Sequence, residues 1–268
     1  MATVPLMYVE DDLEGGGKEG SIENDFAYNN NVINASVRVR LGFIRKVYGL
    51  LTVQLLLSLL VGMVCQIEPV RGIVKANDWL VLVCMISSIG VLIGLHIKRK
   101  ETPTNFILLT VFTITNSISV GVLVTHFKAG LVLQAIAITL CVVIGISLFT
   151  LQNKRDLSML PAALVYMYIY NLIYHSYFKF YFDFRLFSGL CCLLVGGIIQ
   201  IFMQSTLFEL VLCTFGALIF SLFLLYDTHV MMTTLSPEEY ILATINLYLD
   251  IINLFIYILR ILQAADRG

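Results

Sequence analysis

The sequence predicts an all-α polytopic membrane protein with about seven transmembrane helices, because it is strongly apolar, contains long apolar runs and keeps most of its charges outside them. Of the 268 residues, 59% are hydrophobic and 13% are charged, whereas a soluble domain has about 45–50% apolar residues. A bilayer core about 30 Å thick requires about 20 apolar residues per helix. The runs are Val47–Cys65, Trp79–Ile97, Phe106–Phe127, Gly130–Leu151, Leu186–Gln204, Leu207–Tyr226 and Ile241–Leu262. Leu160–Phe182 is left open as an eighth segment.

The region before the first run is acidic and short of apolar residues. Seven acidic residues lie between Glu10 and Asp25, against the single base Lys18. Such a segment cannot bury enough apolar surface to fold, so residues 1–36 are predicted to form a disordered acidic cytosolic tail. The tail also lacks the features of a secretory signal peptide. Residues 37–265 are predicted to form the helical transmembrane domain.

Clusters of basic residues at alternate ends of the apolar runs predict how the chain is oriented in the membrane. They cluster before the first run, after the second and after the fourth: Arg38, Arg40, Arg45 and Lys46; Lys98, Arg99 and Lys100; Lys154 and Arg155. Cytoplasmic loops carry an excess of Lys and Arg, which predicts a cytosolic N-terminus. Recognition of anionic lipid headgroups is a second explanation of the same clusters.

Three acidic residues, Glu209, Asp227 and Asp250, lie in or beside the apolar runs. A charged side chain at the centre of a bilayer costs about 2.5–3.5 kcal/mol, so each is a candidate for ion binding or gating. Glu209 and Asp227 are 18 residues apart, which places them on one helix face about 27 Å apart and near opposite membrane boundaries. The structural alternative is that each acid pairs with a donor on a neighbouring helix.

The last apolar run carries a stripe of polar residues. Its members lie within about 60° of one another on a helix: Glu239, Asn246, Asp250, Asn253 and Tyr257. Carboxylate and amide oxygens are the ligands of partly dehydrated cations, so the stripe predicts the lining of a cation path. Polar residues also hydrogen bond between membrane helices, which keeps an assembly surface as the alternative.

Asp227 and Asp250 would share a proton if their carboxyl groups met, because two such groups in contact titrate as a pair. The site would then respond to pH and to divalent ions. Two carboxylates supply fewer than the about six to eight oxygens of a closed calcium site, so weak binding is expected rather than storage. The cysteines and histidines lack ligand spacing, so we expect no structural metal site and no cofactor apart from Ca²⁺ as a permeant or regulatory ion.

Three segments near the C-terminus, Tyr226–His229, Leu235–Tyr240 and Leu247–Phe255, together resemble the signature of the transmembrane BAX-inhibitor-motif family. The resemblance is to its lifeguard branch, and it continues upstream through Ser21–Glu23, Phe43–Tyr48 and Thr150–Gln152. It covers most of the chain.

The resemblance implies a seven-helix bundle in which Asp227 and Asp250 form a proton- and calcium-sensitive pair. It also implies calcium leak from Golgi and endoplasmic reticulum stores, with suppression of apoptosis, and it assigns Glu238 an influence on conduction. The partners implied are the lipid bilayer, calcium, protons, and apoptosis regulators or calcium-release channels. We expect no nucleic-acid partner, and oligomer formation is left open.

The chain departs from that family in an atypical aromatic-rich insert at about 162–185, with six tyrosines between Tyr166 and Tyr181. Aromatic rings concentrate at membrane interfaces, which favours a segment lying flat. Its apolar start from Leu160 also fits an additional crossing. Such a crossing would invert the chain after it and place Asp227 on the side of the membrane opposite to that in its relatives, which would put their mechanism in doubt for this chain. Whether the insert disables the pore is left open.

Two other functions are compatible with a pair of membrane aspartates. Intramembrane aspartyl proteases resemble this chain in the pair Tyr226–Asp227, but Asp250 follows Leu247–Tyr248–Leu249 instead of the Gly-x-Gly of those enzymes. We therefore expect that the chain is not an enzyme. The remaining alternative is a non-conducting membrane interaction protein that modulates apoptotic signalling.

Overall fold

The chain folds as a bundle of helices in a computed structural model that describes Val32 and residues 37–77, 79–98, 101–152 and 175–267. Within these ranges all regular secondary structure is helical, which confirms the all-α prediction. Helices satisfy every backbone polar group internally, as the bilayer interior requires. They are α1 (Val37–Gln66), α2 (Val70–Lys75), α3 (Trp79–Lys98), α4 (Thr104–Val124), α5 (Ala129–Gln152), α6 (His175–Met203), α7 (Thr206–Thr233) and α8 (Tyr240–Arg267).

Six of these helices, α1, α3, α4, α5, α7 and α8, are long and apolar enough to cross a membrane. Among the residues of α6 whose side chains the structure describes, Ser188–Met203 forms a shorter apolar stretch. Helix α1 begins ten residues before the predicted run, at Val37 instead of Val47. Its 30 residues make a rod about 45 Å long, so its basic first turns extend beyond a bilayer core about 30 Å thick.

Helix α8 is the centre of the bundle. Of its membrane-spanning stretch, 61% is buried, against 17–44% for the other five long helices. It packs against α1, α4, α5 and α7. Helices α1 and α4 run in the same direction, since Ser58 meets Ser117 and Gln66, at the end of α1, meets the end of α4. Helix α8 shares this direction, because Tyr240 and Tyr248 meet Phe106 and Phe112 of α4 in the same order. Helix α7 runs antiparallel to α8.

The outer faces of the bundle are apolar. Large hydrophobic side chains stand exposed along most of the long helices, among them Leu56, Ile86, Ile107, Leu133, Phe202 and Leu207. A soluble protein rarely exposes such extensive apolar surface, whereas lipid tails solvate it. The outer faces therefore fit a helical bundle that spans a membrane.

The two ends of the bundle are built differently. At the amino-terminal end, where α1 starts, the Val32 N–H donates to the Leu235 carbonyl, and the Lys46 ammonium lies 5.4 Å from the centre of the Tyr240 ring. At the carboxy-terminal end, where α8 finishes, Lys128 forms an ion pair with Asp266. There Arg71 also donates to the carbonyls of Thr125 and Phe127. Which end faces the cytosol stays a prediction from the basic clusters.

Two predicted segments lie largely outside the described residues. In the tail 1–36, Val32 alone is described, and it is buried. Of the insert 162–185, the described part is the backbone of 175–185, which forms the start of α6. The predictions of a disordered tail and of a flat or crossing insert therefore stay predictions.

Candidate functional site

Helix α8 turns its polar stripe toward α7 at two positions. The carboxyl group of Asp250 meets that of Asp227 on α7, and the Tyr257 ring packs on Gly216 of the same helix. Asp250 and Tyr257 are seven residues apart, which is close to two full helical turns, so one face of α8 carries both. The two antiparallel helices therefore bring together the two aspartates that are 23 positions apart in the chain.

The two carboxyl groups of the acid pair, Asp227 and Asp250, lie within hydrogen-bonding reach of each other. Asp250 is 6% exposed and Asp227 is half-buried. An ionised carboxylate can only accept hydrogen bonds, so a bond between two carboxyl groups requires a proton on one of them. The arrangement therefore suits a pair that shares one proton.

One oxygen of the pair is left without a partner. Asp250 Oδ2 is fully buried and, in the described part of the chain, has no hydrogen-bond partner. A buried polar atom in that state costs about 1–3 kcal/mol. Binding of a water molecule, a further proton or a cation at this oxygen would therefore stabilise the site.

Helix α7 presents Asp227 close to its own end. The helix starts at a cap in which Ser205 Oγ accepts from the Phe208 N–H at 3.4 Å. It ends at Thr233, six residues beyond Asp227. Next to Asp227, Thr228 is fully buried and its hydroxyl donates to the Leu224 carbonyl at 2.7 Å. Asp227 therefore stands on a continuous, internally bonded helix.

A second polar site lies on the opposite side of α8, and sequence reasoning missed it. The Ser58 hydroxyl lies 2.9 Å from that of Ser117 and 2.8 Å from that of Tyr248. All three residues are buried, and we call them the hydroxyl cluster. Tyr248 and Asp250 are two residues apart, which separates their side chains by about 200° around the helix. The hydroxyl cluster thus joins α8 to α1 and α4 at the depth where the acid pair joins it to α7.

The hydroxyl cluster continues toward the amino-terminal end through one more buried contact. Gln54 Nε2 donates to Thr113 Oγ1 at 2.7 Å, while Gln54 Oε1 is buried and without a partner among the described residues. Serine, threonine and glutamine in apolar runs were the available signal. Their spacing, however, does not say which helices they join.

Glu209 lies at the carboxy-terminal end and is paired with arginines. Its carboxylate is 3.5 Å from the Arg260 guanidinium and 3.7 Å from that of Arg267, and its side chain is 13% exposed. We call these three residues the charged network. They line a cavity of about 540 Å³ together with His126 and Gln263. The structure thus separates Glu209 from the acid pair by 18 residues of α7, about 27 Å along the helix, and its role as an ion ligand stays a prediction.

The other predicted residues lie around the amino-terminal half of α8. Glu238 is exposed in the loop before α8, and Glu239 precedes the first residue of the helix and accepts the Ala243 N–H at its carbonyl. Asn246 and Asn253 are half-buried. No group of three or more His, Cys, Asp or Glu that could hold a metal ion occurs among the residues described.

Comparisons with known proteins give one consistent result. The sequence model of the family described as "Inhibitor of apoptosis-promoting Bax1" matches residues 40–185 and 176–267. Protein lifeguard 4 of Mus musculus is 37% identical over 257 residues, which are 96% of this chain and 99% of that protein. The Golgi anti-apoptotic protein of Vaccinia virus (strain Lister) is 38% identical over 248 residues, 92% of this chain and 95% of that protein. Bax inhibitor 1 of Schizosaccharomyces pombe is 32% identical over 270 residues, 100% of this chain and 92% of that protein.

Proposed function

We propose the function of this chain from one premise: it belongs to the family of inhibitors of apoptosis-promoting Bax1. We propose that it suppresses apoptosis as a multi-pass protein of Golgi or endoplasmic reticulum membranes. There it acts as a cation leak path with Ca²⁺ as the permeant or regulatory ion. The names of its relatives support the anti-apoptotic part of the proposal, and the acid pair supports the ion path.

The acid pair carries the ion part of the proposal. An acidic group within a membrane span is costly to retain, and here two of them, Asp227 and Asp250, meet between the central helix and its neighbour. The buried Oδ2 of Asp250 has no partner among the described residues. A purely structural aspartate would be expected to have its acceptors satisfied, because that lowers the cost of burial. An oxygen without a partner, next to a shared proton, is instead what a site needs if a mobile ion is to replace that proton.

Proton and cation then compete for the same oxygens. With one proton on the pair, the hydrogen bond between Asp227 and Asp250 holds α7 against α8. Loss of that proton leaves two adjacent negative charges, which repel each other unless a cation lies between them. Two carboxylates bind Ca²⁺ weakly, and conduction requires binding that is weak enough for release. The pair would thus link ion passage to pH.

The experiment compares calcium release from proteoliposomes, and from cells with a store-targeted calcium reporter, for the wild type and Asp250→Asn. Asparagine keeps the size of the side chain and removes its charge, so we expect the leak to fall to the level of protein-free membranes. Asp266→Asn is the matched control, since Asp266 lies on the same helix but is exposed and outside the acid pair. An Asp250→Asn protein that inserts normally and leaks like the wild type would overturn the ion path.

A non-conducting interaction protein is the second candidate. The observation that favours it is that two of the three relatives are named for apoptosis or Bax, and none of the three names mentions an ion. Such a protein would restrain apoptosis regulators or calcium-release channels through its membrane surface. Protection of cells by Asp250→Asn as strong as by the wild type, in the absence of any leak, would support this candidate. In either case we propose no catalytic role for the chain.

A further inference from the structure

We propose that Tyr257 closes the ion path, its ring sealing the interface between α7 and α8 between the acid pair and the charged network. The proposal rests on the proposed leak function and names the residue that regulates it. We call the interface between α7 and α8, from Asp227 to Glu209, the α7–α8 seam.

Three layers follow one another along the α7–α8 seam. The acid pair is the first, and the charged network at the carboxy-terminal end is the last. Tyr257 lies between them, seven residues after Asp250 and three before Arg260, or about 10 Å and 5 Å along the helix axis. An ion that leaves the acid pair along the seam therefore meets the Tyr257 ring before it reaches the bundle end.

The ring is seated directly on the backbone of α7. A Cβ built on Gly216 would lie 2.4 Å from Cε1, 2.5 Å from Cδ1 and 2.8 Å from Cζ of Tyr257. The optimal separation of two carbon atoms that are not bonded is about 3.5–4.0 Å, and real Cβ atoms essentially never have contacts under 3.0 Å. Residue 216 must therefore lack a side chain for the ring to occupy this place.

A second aromatic ring fixes the first. The Phe220 ring stacks on that of Tyr257, with 5.5 Å between the ring centres and 23° between their planes. Phe220 is buried and also meets Phe223 at 5.7 Å. Aromatic pairs of this kind add about 0.5–1.5 kcal/mol beyond the burial of area. The seam between the two charged layers is thus filled by ring carbon.

A layer of ring carbon stops ions because carbon atoms cannot replace the water bound to them, and apolar constrictions in channels close by losing water. The Tyr257 side chain can also open the seam without movement of the backbone. It is half-buried, and rotation about its side-chain bonds would carry the ring off Gly216. Arg260 and Cys213 are titratable groups near the ring, and Arg260 belongs to the charged network, so the ring borders that network.

The first test uses size changes on both sides of the contact. Tyr257→Ala removes the ring and Gly216→Ala displaces it, so each should raise the leak several-fold in proteoliposomes. The double variant should leak like Tyr257→Ala alone, because the added methyl group then meets no ring. Gly145→Ala is the control, since a Cβ at Gly145 meets nothing within 4 Å, and it should leak like the wild type.

The second test does not depend on conduction. Cys213 lies beside the ring and is 0% exposed. In protein whose other five cysteines are replaced by alanine, a charged, water-soluble maleimide should modify Cys213 slowly. The Tyr257→Ala change in the same background should make the modification several-fold faster, because water then reaches the seam. Folding of each variant is checked by its elution as a single peak in detergent.

The outcomes distinguish failure of the proposed role of Tyr257 from failure of the proposed leak function. If the wild type leaks and Asp250→Asn does not, while both Tyr257→Ala and Gly216→Ala match the wild type in leak and in Cys213 modification, the role of Tyr257 is overturned and the leak function stands. If folded wild type and Tyr257→Ala both fail to leak, the leak function fails and this proposal fails with it. A wild type that is silent and a Tyr257→Ala protein that leaks would support both.

Discussion

The Tyr248 hydroxyl of α8 lies 2.8 Å from the Ser58 hydroxyl of α1, and two residues later Asp250 faces the other way, toward Asp227 of α7. One turn of the central helix is thereby held from both sides by polar contacts. The rotation of α8 about its own axis is fixed by the hydroxyl cluster on one side. That rotation in turn decides whether Asp250 meets Asp227.

Tyr248→Phe should lower the stability of the bundle by about 0.5–1.5 kcal/mol, the net value of one hydrogen bond. Phenylalanine keeps the ring contact with Phe112, whose centre lies 6.1 Å away, and Ser58 keeps its bond to Ser117. Tyr240→Phe is the control, because the contacts of Tyr240 with Phe106 and Lys46 involve its ring. Thermal unfolding in detergent measures both. Equal melting temperatures for the two variants would show that the Tyr248 hydroxyl contributes no stability.

The pH dependence of the leak should follow the proton shared by the acid pair. At low pH the pair holds its proton, the hydrogen bond keeps α7 against α8, and the leak is small. As pH rises and the proton leaves, the two carboxylates repel each other and the leak increases. Calcium flux from proteoliposomes at a series of pH values measures this.

Asp250→Asn should abolish that pH dependence. Its amide nitrogen can donate to the Asp227 carboxylate at every pH, so it imitates the protonated pair and the leak stays small throughout. Asp266→Asn should keep the wild-type profile. A leak that rises with pH equally in wild type and Asp250→Asn would remove the pair from the explanation.

The membrane helices could be predicted from the sequence because the bilayer imposes the length and polarity of each span. The cytosolic tail and the insert are compositional predictions that the described residues do not test. Contacts between helices were harder to predict. Ser58 meets residues that are 59 and 190 positions away. Such pairings depend on how the helices pack against one another, and the periodicity of a single helix does not predict that packing.

The partners of Glu209 were also not predicted from the sequence. Its position in an apolar run was compatible with an ion ligand and with a partner of a donor on another helix, and the structure pairs it with Arg260 and Arg267. The two arginines are seven residues apart and so share one face of α8, which was the signal available in the sequence. The Tyr257 ring could be placed on the polar stripe, but its seat on Gly216 required the antiparallel register of α7 and α8.

Gly121→Ala should destabilise the contact between α1 and α4 by about 1–3 kcal/mol, the usual cost of overpacking. A Cβ at this position would lie 2.8 Å from Cys65 Sγ and 3.4 Å from Val61 Cγ1. Cys65→Ala in the same protein should recover most of the loss, because it removes the closest atom. Unfolding of the single and double variants measures the recovery, and a double variant less stable than Gly121→Ala alone would contradict the steric explanation.

Glu209→Gln should destabilise the carboxy-terminal end more than Lys128→Gln does. The Glu209 side chain is 13% exposed and faces two guanidinium groups, so its loss leaves two adjacent cations without their counter-charge. The pair of Lys128 with Asp266 is exposed, with side-chain exposures of 74% and 38%, and exposed pairs contribute about 0–1 kcal/mol.

Unfolding at low and high salt distinguishes the two ion-pair sites, because salt screens exposed pairs more strongly than buried ones. We expect the effect of Lys128→Gln to vanish at high salt while part of the effect of Glu209→Gln persists. The same loss for both variants would mean that the charged network is no more than a surface ion pair, and that the carboxy-terminal end of the α7–α8 seam is held by packing alone.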